Sequence, residues 1–154
     1  MAIDLDRVQA RATYVRAQVA ALRRIAGRMD AAGFVAEPDL PLAALHRLQT
    51  AIEALIDLAF HLSAKLAQRA PADAQEAFTI LAGLDVLDPA SLGRQRAMIR
   101  FRNRVVHGYL DVDHSQVFQM MSGADLADIE DVLARFESAA RGAAASRTEG
   151  GPGA

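Results

Sequence analysis

Cysteine and tryptophan are both absent from this chain. Without thiols there is no disulfide, no thiolate nucleophile and no cysteine-held zinc, and a reducing compartment suits such a protein. Aromatics are few and β-branched runs are scarce, so little argues for a sheet. No apolar run approaches the length of a membrane span, and the N-terminus lacks a signal-peptide pattern. A cytoplasmic protein without membrane association is the expectation. A Gly-rich phosphate loop, a nucleophile elbow, an internal repeat and zinc-type histidine spacing are also missing. No cofactor and no metal are expected. The formal net charge is −2, so the chain has no general cationic coat, and any nucleic-acid contact must be local.

What is present is alanine, leucine and helical periodicity. With 154 residues and 52% hydrophobic content, the chain suits one domain with a sizeable core. The expected fold is all-α, an up-and-down helical bundle of about five helices over residues 1–137. Residues 138–154, rich in alanine and ending Gly-Gly-Pro-Gly, are expected to form a disordered, flexible tail. The first helix runs from Asp4 to about Asp30, with Leu5, Val8, Ala12, Val15, Val19, Leu22 and Ile25 as its apolar stripe. Arg7, Arg11, Arg16 and Arg23 read as its wet faces. Gly33 to Pro41 reads as a connector and Leu42 to about Gln68 as a second long helix. Pro71 to Gly83 gives a short third helix. Asp88-Pro89 signals the start of a fourth. After Ser122-Gly123, which can break the chain, a final amphipathic stretch runs through Phe136. Its acids, among them Glu130 and Glu137, are expected on solvent.

The fourth helix carries the most distinctive segment, Arg94 to Asp113. It holds Arg94, Arg96, Arg100, Arg102 and Arg104, and no acid lies between Asp88 and Asp111. Met98, Phe101, Val105 and Tyr109 keep the rhythm of a core-facing stripe. Arg102 falls inside that stripe, where an unpaired charge is costly and needs a partner or a cleft. Arg96, Arg100 and Arg104 repeat every four residues on another face, as either a phosphate-steering set or a solvated one. His107 stands five residues after Arg102, about 140° round an ideal helix. The two meet only if the helix ends first or if they face each other across a second subunit. Gly108 is a good helix stop, which puts His107 at or just beyond a helix C-terminus.

Along the second helix runs a polar ladder, Gln49, Glu53, Asp57 and His61. Two acids at i, i+4 repel slightly, so a cationic neighbour is one explanation, and the arginine segment is a candidate. Glu53 or Asp57 would then orient Arg102 or His107. A solvent-facing flank with an Asp57–His61 pair reads equally well. His46 and His114 acquire no role.

Arg102, His107 and Tyr109 spell R-x-x-x-x-H-x-Y, with Asn103 giving the R-N form. This segment, with Phe101 before it and Leu110 to Asp113 after it, resembles the HEPN superfamily and, more narrowly, its HepT-like toxins. The upstream LQTAIEALIDLAFHL is similar to the second helix of that group. The resemblance implies a homodimeric helical bundle with the two motifs facing a shared cleft. It implies a metal-independent ribonuclease of a toxin–antitoxin pair, with Arg102 and His107 catalytic. It also implies a cognate MntA-like nucleotidyltransferase antitoxin that transfers AMP onto Tyr109.

The residue chemistry agrees with that expectation. RNA cleavage needs a group to take the 2′-hydroxyl proton, a group to return one to the leaving oxygen, and positive charge for the phosphorane. Histidine does either proton task near neutrality, and arginine offers a fork of donors matched to phosphate. One such set per chain is thin, and a dimer doubles it. Asn103 either orients the phosphate or caps the structure. Two other readings stand beside this one. The first is a HEPN binding module without catalysis that docks a nucleotidyltransferase. The second is a helical interaction protein with a chance motif.

Overall fold

The computed structural model describes residues 2–150, apart from the side chain of Tyr109. Within them lie seven α-helices and no strand: α1 (Leu5–Ala26), α2 (Ala31–Ala36), α3 (Leu40–Ala67), α4 (Ala74–Gly83), α5 (Leu92–Gly108), α6 (His114–Ser122) and α7 (Asp125–Glu149). Short 3-10 turns, Pro89–Ser91 and Tyr109–Asp111, flank α5.

Aspartates begin most of these elements. The side chains of Asp4, Asp30, Asp73, Asp88 and Asp113 accept hydrogen bonds from Arg7, Gly33, Glu76, Ala90 and Ser115 backbone N–H groups. Each satisfies an amide that a helix start leaves without a partner, at about 0.5–2 kcal/mol relative to alanine. At the N-terminus the backbone N–H of Asp4 donates to His61 Nε2 at 3.1 Å, fastening the start of α1 to α3.

The apolar stripes meet around α3, which packs against α1, α4, α5, α6 and α7. Leu48, Ile52, Leu55, Leu58 and Leu62 are wholly enclosed. Phe78 of α4 and Phe136 of α7 meet with ring centroids 5.8 Å apart. Full burial of such a side chain contributes about 1.5–3 kcal/mol. The connector expected at Gly33 to Pro41 includes part of a helix instead. Its start is capped by Asp30, and Phe34 is fully buried against Phe118 at 5.4 Å. The break at Ser122-Gly123 separates α6 from α7. These two short pieces are the additions to the expected bundle.

Two expectations about the C-terminal stretch change. The boundary at residue 137 falls inside α7, which continues to Glu149, and Ala140 is buried. Alanine has the highest helix propensity, and its small side chain lets α7 stay close to its neighbours. Residues 151–154 of the expected tail lie outside the described residues. The acids of α7 also differ from the solvent assignment. Glu137 is buried, and its Oε2 accepts from Arg16 Nη1 at 3.1 Å, with a second, shorter bond between the same side chains. Glu130 pairs with Arg23. These pairs tie α7 to α1.

Candidate active site

α5 begins on the Asp88 cap and the turn Pro89–Ser91, where Gln95 Nε2 donates to Ser91 Oγ at 2.7 Å. From there its side chains divide cleanly between two faces. Gln95, Ile99, Phe101 and Val105 are buried, and Met98 and Arg102 are partly so. At 100° per residue, Arg102 projects from the middle of this inward side. Its Nε is buried and, among the described residues, has no hydrogen-bond partner. A buried donor left unmade costs about 1–3 kcal/mol, so Arg102 is held where a further acceptor would be gained.

The outward side is a cationic stripe. Arg96, Arg100, Asn103, Arg104 and His107 are all exposed, at helical steps that bring them onto one face. Among the described residues, Arg96, Arg100, Arg102 and Arg104 form no ion pair, and Arg94 alone of the α5 arginines has an acid, Asp128 at 3.4 Å. His107 therefore lies at the end of a row of uncompensated charge.

The helix continues through Gly108, so His107 occupies its last turn. Gly108 does not stop the helix by a left-handed conformation, because no glycine has positive φ among the described residues. Its small size matters in another way. A Cβ there would lie 3.2 Å from Asp111 Oδ2, so the glycine lets the following turn fold back onto the helix end. Since the helix persists, Arg102 and His107 stay about 140° apart on it. The backbone of Tyr109 opens the turn Tyr109–Asp111. Its side chain, the expected acceptor of AMP, lies outside the described residues.

The acid ladder on α3 goes elsewhere. Asp57 accepts from Arg7 Nη2 at 2.7 Å and Arg7 Nε at 3.3 Å, and from Arg11 Nε at 3.0 Å. Burial pushes its carboxyl up, but the bond and charge of Arg7, joined by Arg11, outweigh this and hold it below the usual range. Glu53 accepts from Gln49 Nε2 at 3.2 Å. Neither acid bonds Arg102 or His107, so the expected orienting pair is not formed within the chain. The physical reason is packing: this flank of α3 faces α1, whose arginines at i, i+4 claim the carboxylate. His61, next on the ladder, is also not the expected partner of Asp57. Burial, then the charges of Arg7 and Lys65, lower its pKa, and its Nε2 accepts the Asp4 N–H, as only a neutral imidazole can.

Sequence reasoning passed over Val106 and Leu110. Both are exposed, at 48% and 82%, on either side of His107. By phase Val106 shares the flank of Arg102, four residues earlier, so its exposure comes from its place near the helix end, and Leu110 lies in the turn beyond α5. Among the described residues no group of three or more His, Asp or Glu is arranged to hold a metal. No described helix is long and apolar enough to cross a membrane.

Comparison with known proteins agrees with this architecture. A family model described as Ribonuclease HepT-like matches residues 15–136. The tri-AMPylated Shewanella oneidensis HEPN toxin, solved in complex with its MNT antitoxin, superposes with a TM-score of 0.76 at 21% identity. That alignment covers 86% of this chain and 98% of the toxin chain. A chain from a crystal structure of a toxin–antitoxin with AMP-PNP gives a TM-score of 0.75 at 20% identity, covering 85% of this chain and 98% of its own. At these identities the likeness is one of fold. No curated protein matches.

Proposed function

The chain belongs to the HepT-like ribonuclease family, and from that premise we propose that it is a metal-independent endoribonuclease toxin acting at a homodimer cleft. The observation that carries this is the division of α5. Arg102 keeps a buried, unpartnered Nε on one side, while His107 lies exposed about 140° away on the same unbroken helix. One chain does not bring the pair together. A two-fold partner does, because an isologous interface sets each arginine against the other chain's histidine. The exposed Val106 and Leu110 beside His107 supply apolar area for such a contact.

In that cleft His107 of one protomer takes the 2′-hydroxyl proton, and the 2′-oxygen attacks phosphorus. The bond to the 5′-oxygen breaks, and the His107 of the other protomer returns a proton to it. The products are a 2′,3′-cyclic phosphate and a free 5′-hydroxyl. Arg102 meets the charge of the phosphorane, and Asn103 orients a phosphate oxygen. Arg96, Arg100 and Arg104 draw in the RNA backbone. RNA as substrate puts the protein in the cytoplasm. The antitoxin is a nucleotidyltransferase that adds AMP to Tyr109, a reading supported by the AMP-bearing HEPN toxin of the same fold. A phosphodiester anion beside the cationic stripe competes with substrate and blocks the cleft.

Total RNA incubated with the purified protein tests the reading. Cleavage is expected with and without EDTA, and its loss in His107→Ala. A wild type that binds a nucleotidyltransferase yet leaves RNA intact would mark a docking module instead. Tyr109→Phe is expected to cut RNA and resist the antitoxin with ATP.

A further inference from the structure

Beside the cationic stripe, α5, α6 and the start of α7 enclose an open groove of about 510 Å³. That volume is within the range of small-ligand sites. Its apolar floor includes Met98 and Met120, both partly buried. On one rim stand Arg100 and Arg104, neither with an acid partner among the described residues. Four residues of helix separate them by about 6 Å along the axis, suited to neighbouring phosphates of one strand. The guanidinium of Arg104 lies over the Phe101 ring, 5.8 Å from its centroid. It is thus presented as a flat cationic plate, a surface on which nucleobases stack. On the opposite rim Gln116 and Gln119 are one turn apart on α6, and among the described residues no hydrogen bond engages either side-chain amide. Each amide offers both an acceptor and donors. Asp125 closes the end toward α7. Its burial, then the charge of Asp128, push its carboxyl up.

We propose that this groove is a base-reading subsite for one nucleotide of single-stranded RNA, next to the phosphate cut at His107. The backbone phosphate bridges Arg100 and Arg104. The base stacks on the Arg104 plate above the methionine floor, and Gln116 and Gln119 bond its edge. Arg104 is three residues, about 4.5 Å of helix rise, from His107, so the bound nucleotide is the immediate neighbour of the scissile one. The subsite rests on the ribonuclease reading and deepens it by assigning sequence preference to particular side chains.

Two measurements separate the two claims. In the first, wild type and Gln116→Ala/Gln119→Ala digest a pool of randomised RNA, and the cut ends are sequenced. The wild type is expected to prefer particular bases at one position beside the cut. The double variant is expected to lose that preference to within about twofold while still cutting. In the second, a labelled twelve-nucleotide RNA is titrated into His107→Ala protein, which does not cut it, and anisotropy is read. Adding Arg100→Gln/Arg104→Gln is expected to weaken binding about tenfold, from lost stacking and phosphate contact. Cutting by wild type with unchanged end preference in the glutamine variant and unchanged affinity in the arginine variant would overturn the subsite and leave the ribonuclease reading intact. No cutting, but arginine-dependent RNA binding, would overturn the ribonuclease reading and leave the groove as a site of RNA binding only. Variants that instead fail to co-elute with a nucleotidyltransferase, with RNA binding unaltered, would make the groove a protein-docking surface and end the proposal.

Discussion

Two helices of this protein are rich in arginine, and they use it in opposite ways. In α1, Arg7 and Arg11 share Asp57, Arg16 binds Glu137 and Arg23 binds Glu130. Arg24 alone among the α1 arginines is left without an acid among the described residues. In α5 the balance reverses: Arg94 has Asp128, and the other four have no acid among the described residues. Asp57, Glu130 and Glu137 are engaged by α1, while Asp128 alone is paired with α5 among the described residues. A set of like charges on one helix costs stability, and a polyanion such as the RNA proposed as substrate would offset that cost. Arginine in α1 is mortar, and arginine in α5 is a tool.

The comparison can be sharpened by substituting arginine in each helix. The largest effect is expected from Arg102→Ala. RNA cleavage should fall about 10²–10³-fold, as when one charge-stabilising donor is removed, while thermal stability stays level or rises because a buried unpartnered donor is gone. Unaltered cleavage would move the site off Arg102.

Next in size is the buried anchor of α1. Glu137→Gln, read by urea unfolding, should cost about 1–3 kcal/mol, since it removes the charged partner of Arg16 from a largely enclosed position. Cleavage measured well below the melting temperature should be unchanged. A neutral result would show that the α1–α7 pair is as dispensable as most surface ion pairs.

Smaller again is the effect of thinning the stripe. Arg96→Gln with Arg104→Gln should raise KM for RNA several-fold at low salt, leave kcat alone, and reduce the salt slope of binding by about one to two units. A change in kcat with KM constant would give these residues a part in the chemistry rather than in attraction.

The smallest effect concerns the fastening of α1 by His61. Its folded pKa is lowered from the ordinary value of about 6.5. The unfolded chain therefore binds the proton more readily. This contribution to stability is complete above about pH 6.5, declines as pH falls toward the folded pKa, and changes no further below it. Melting temperature should drop as pH falls below about 6.5, and His61→Gln should flatten that part of the curve. Acid-side loss that survives in His61→Gln would point to Asp57. The carboxyl of Asp57 is held low and contributes stability above its unfolded value, lost only at more acidic pH.

Particular residues show what could be read ahead of the structure. Leu48, Ile52, Leu55 and Leu62 recur with the helical period, and all four are in the core. Asp88 before Pro89 was a start signal, and it caps the turn that opens α5. Arg102, placed on the inward side by counting alone, is there, and its Nε is enclosed. Asp57 failed the same kind of reasoning. Its charge asked for a cation, and periodicity could not say which helix would provide it. Glu137, placed on solvent by composition, failed in the same way. Phe34 was hidden because a helix of six residues leaves too few turns to display a period.

The sequence by itself determined the long helices and the spacing R-x-x-x-x-H-x-Y, because periodicity, caps and motif spacing operate within a few turns of chain. Only the tertiary structure decided which charges are neutralised. Arg7 meets Asp57 across 50 residues, and Arg16 meets Glu137 across 121. Such pairs depend on how α1 docks against α3 and α7, which is a property of packed surfaces and not of any local run. The same docking left Arg96, Arg100, Arg102 and Arg104 without acids among the described residues. It thereby left one cationic helix uncompensated, and made the other a brace.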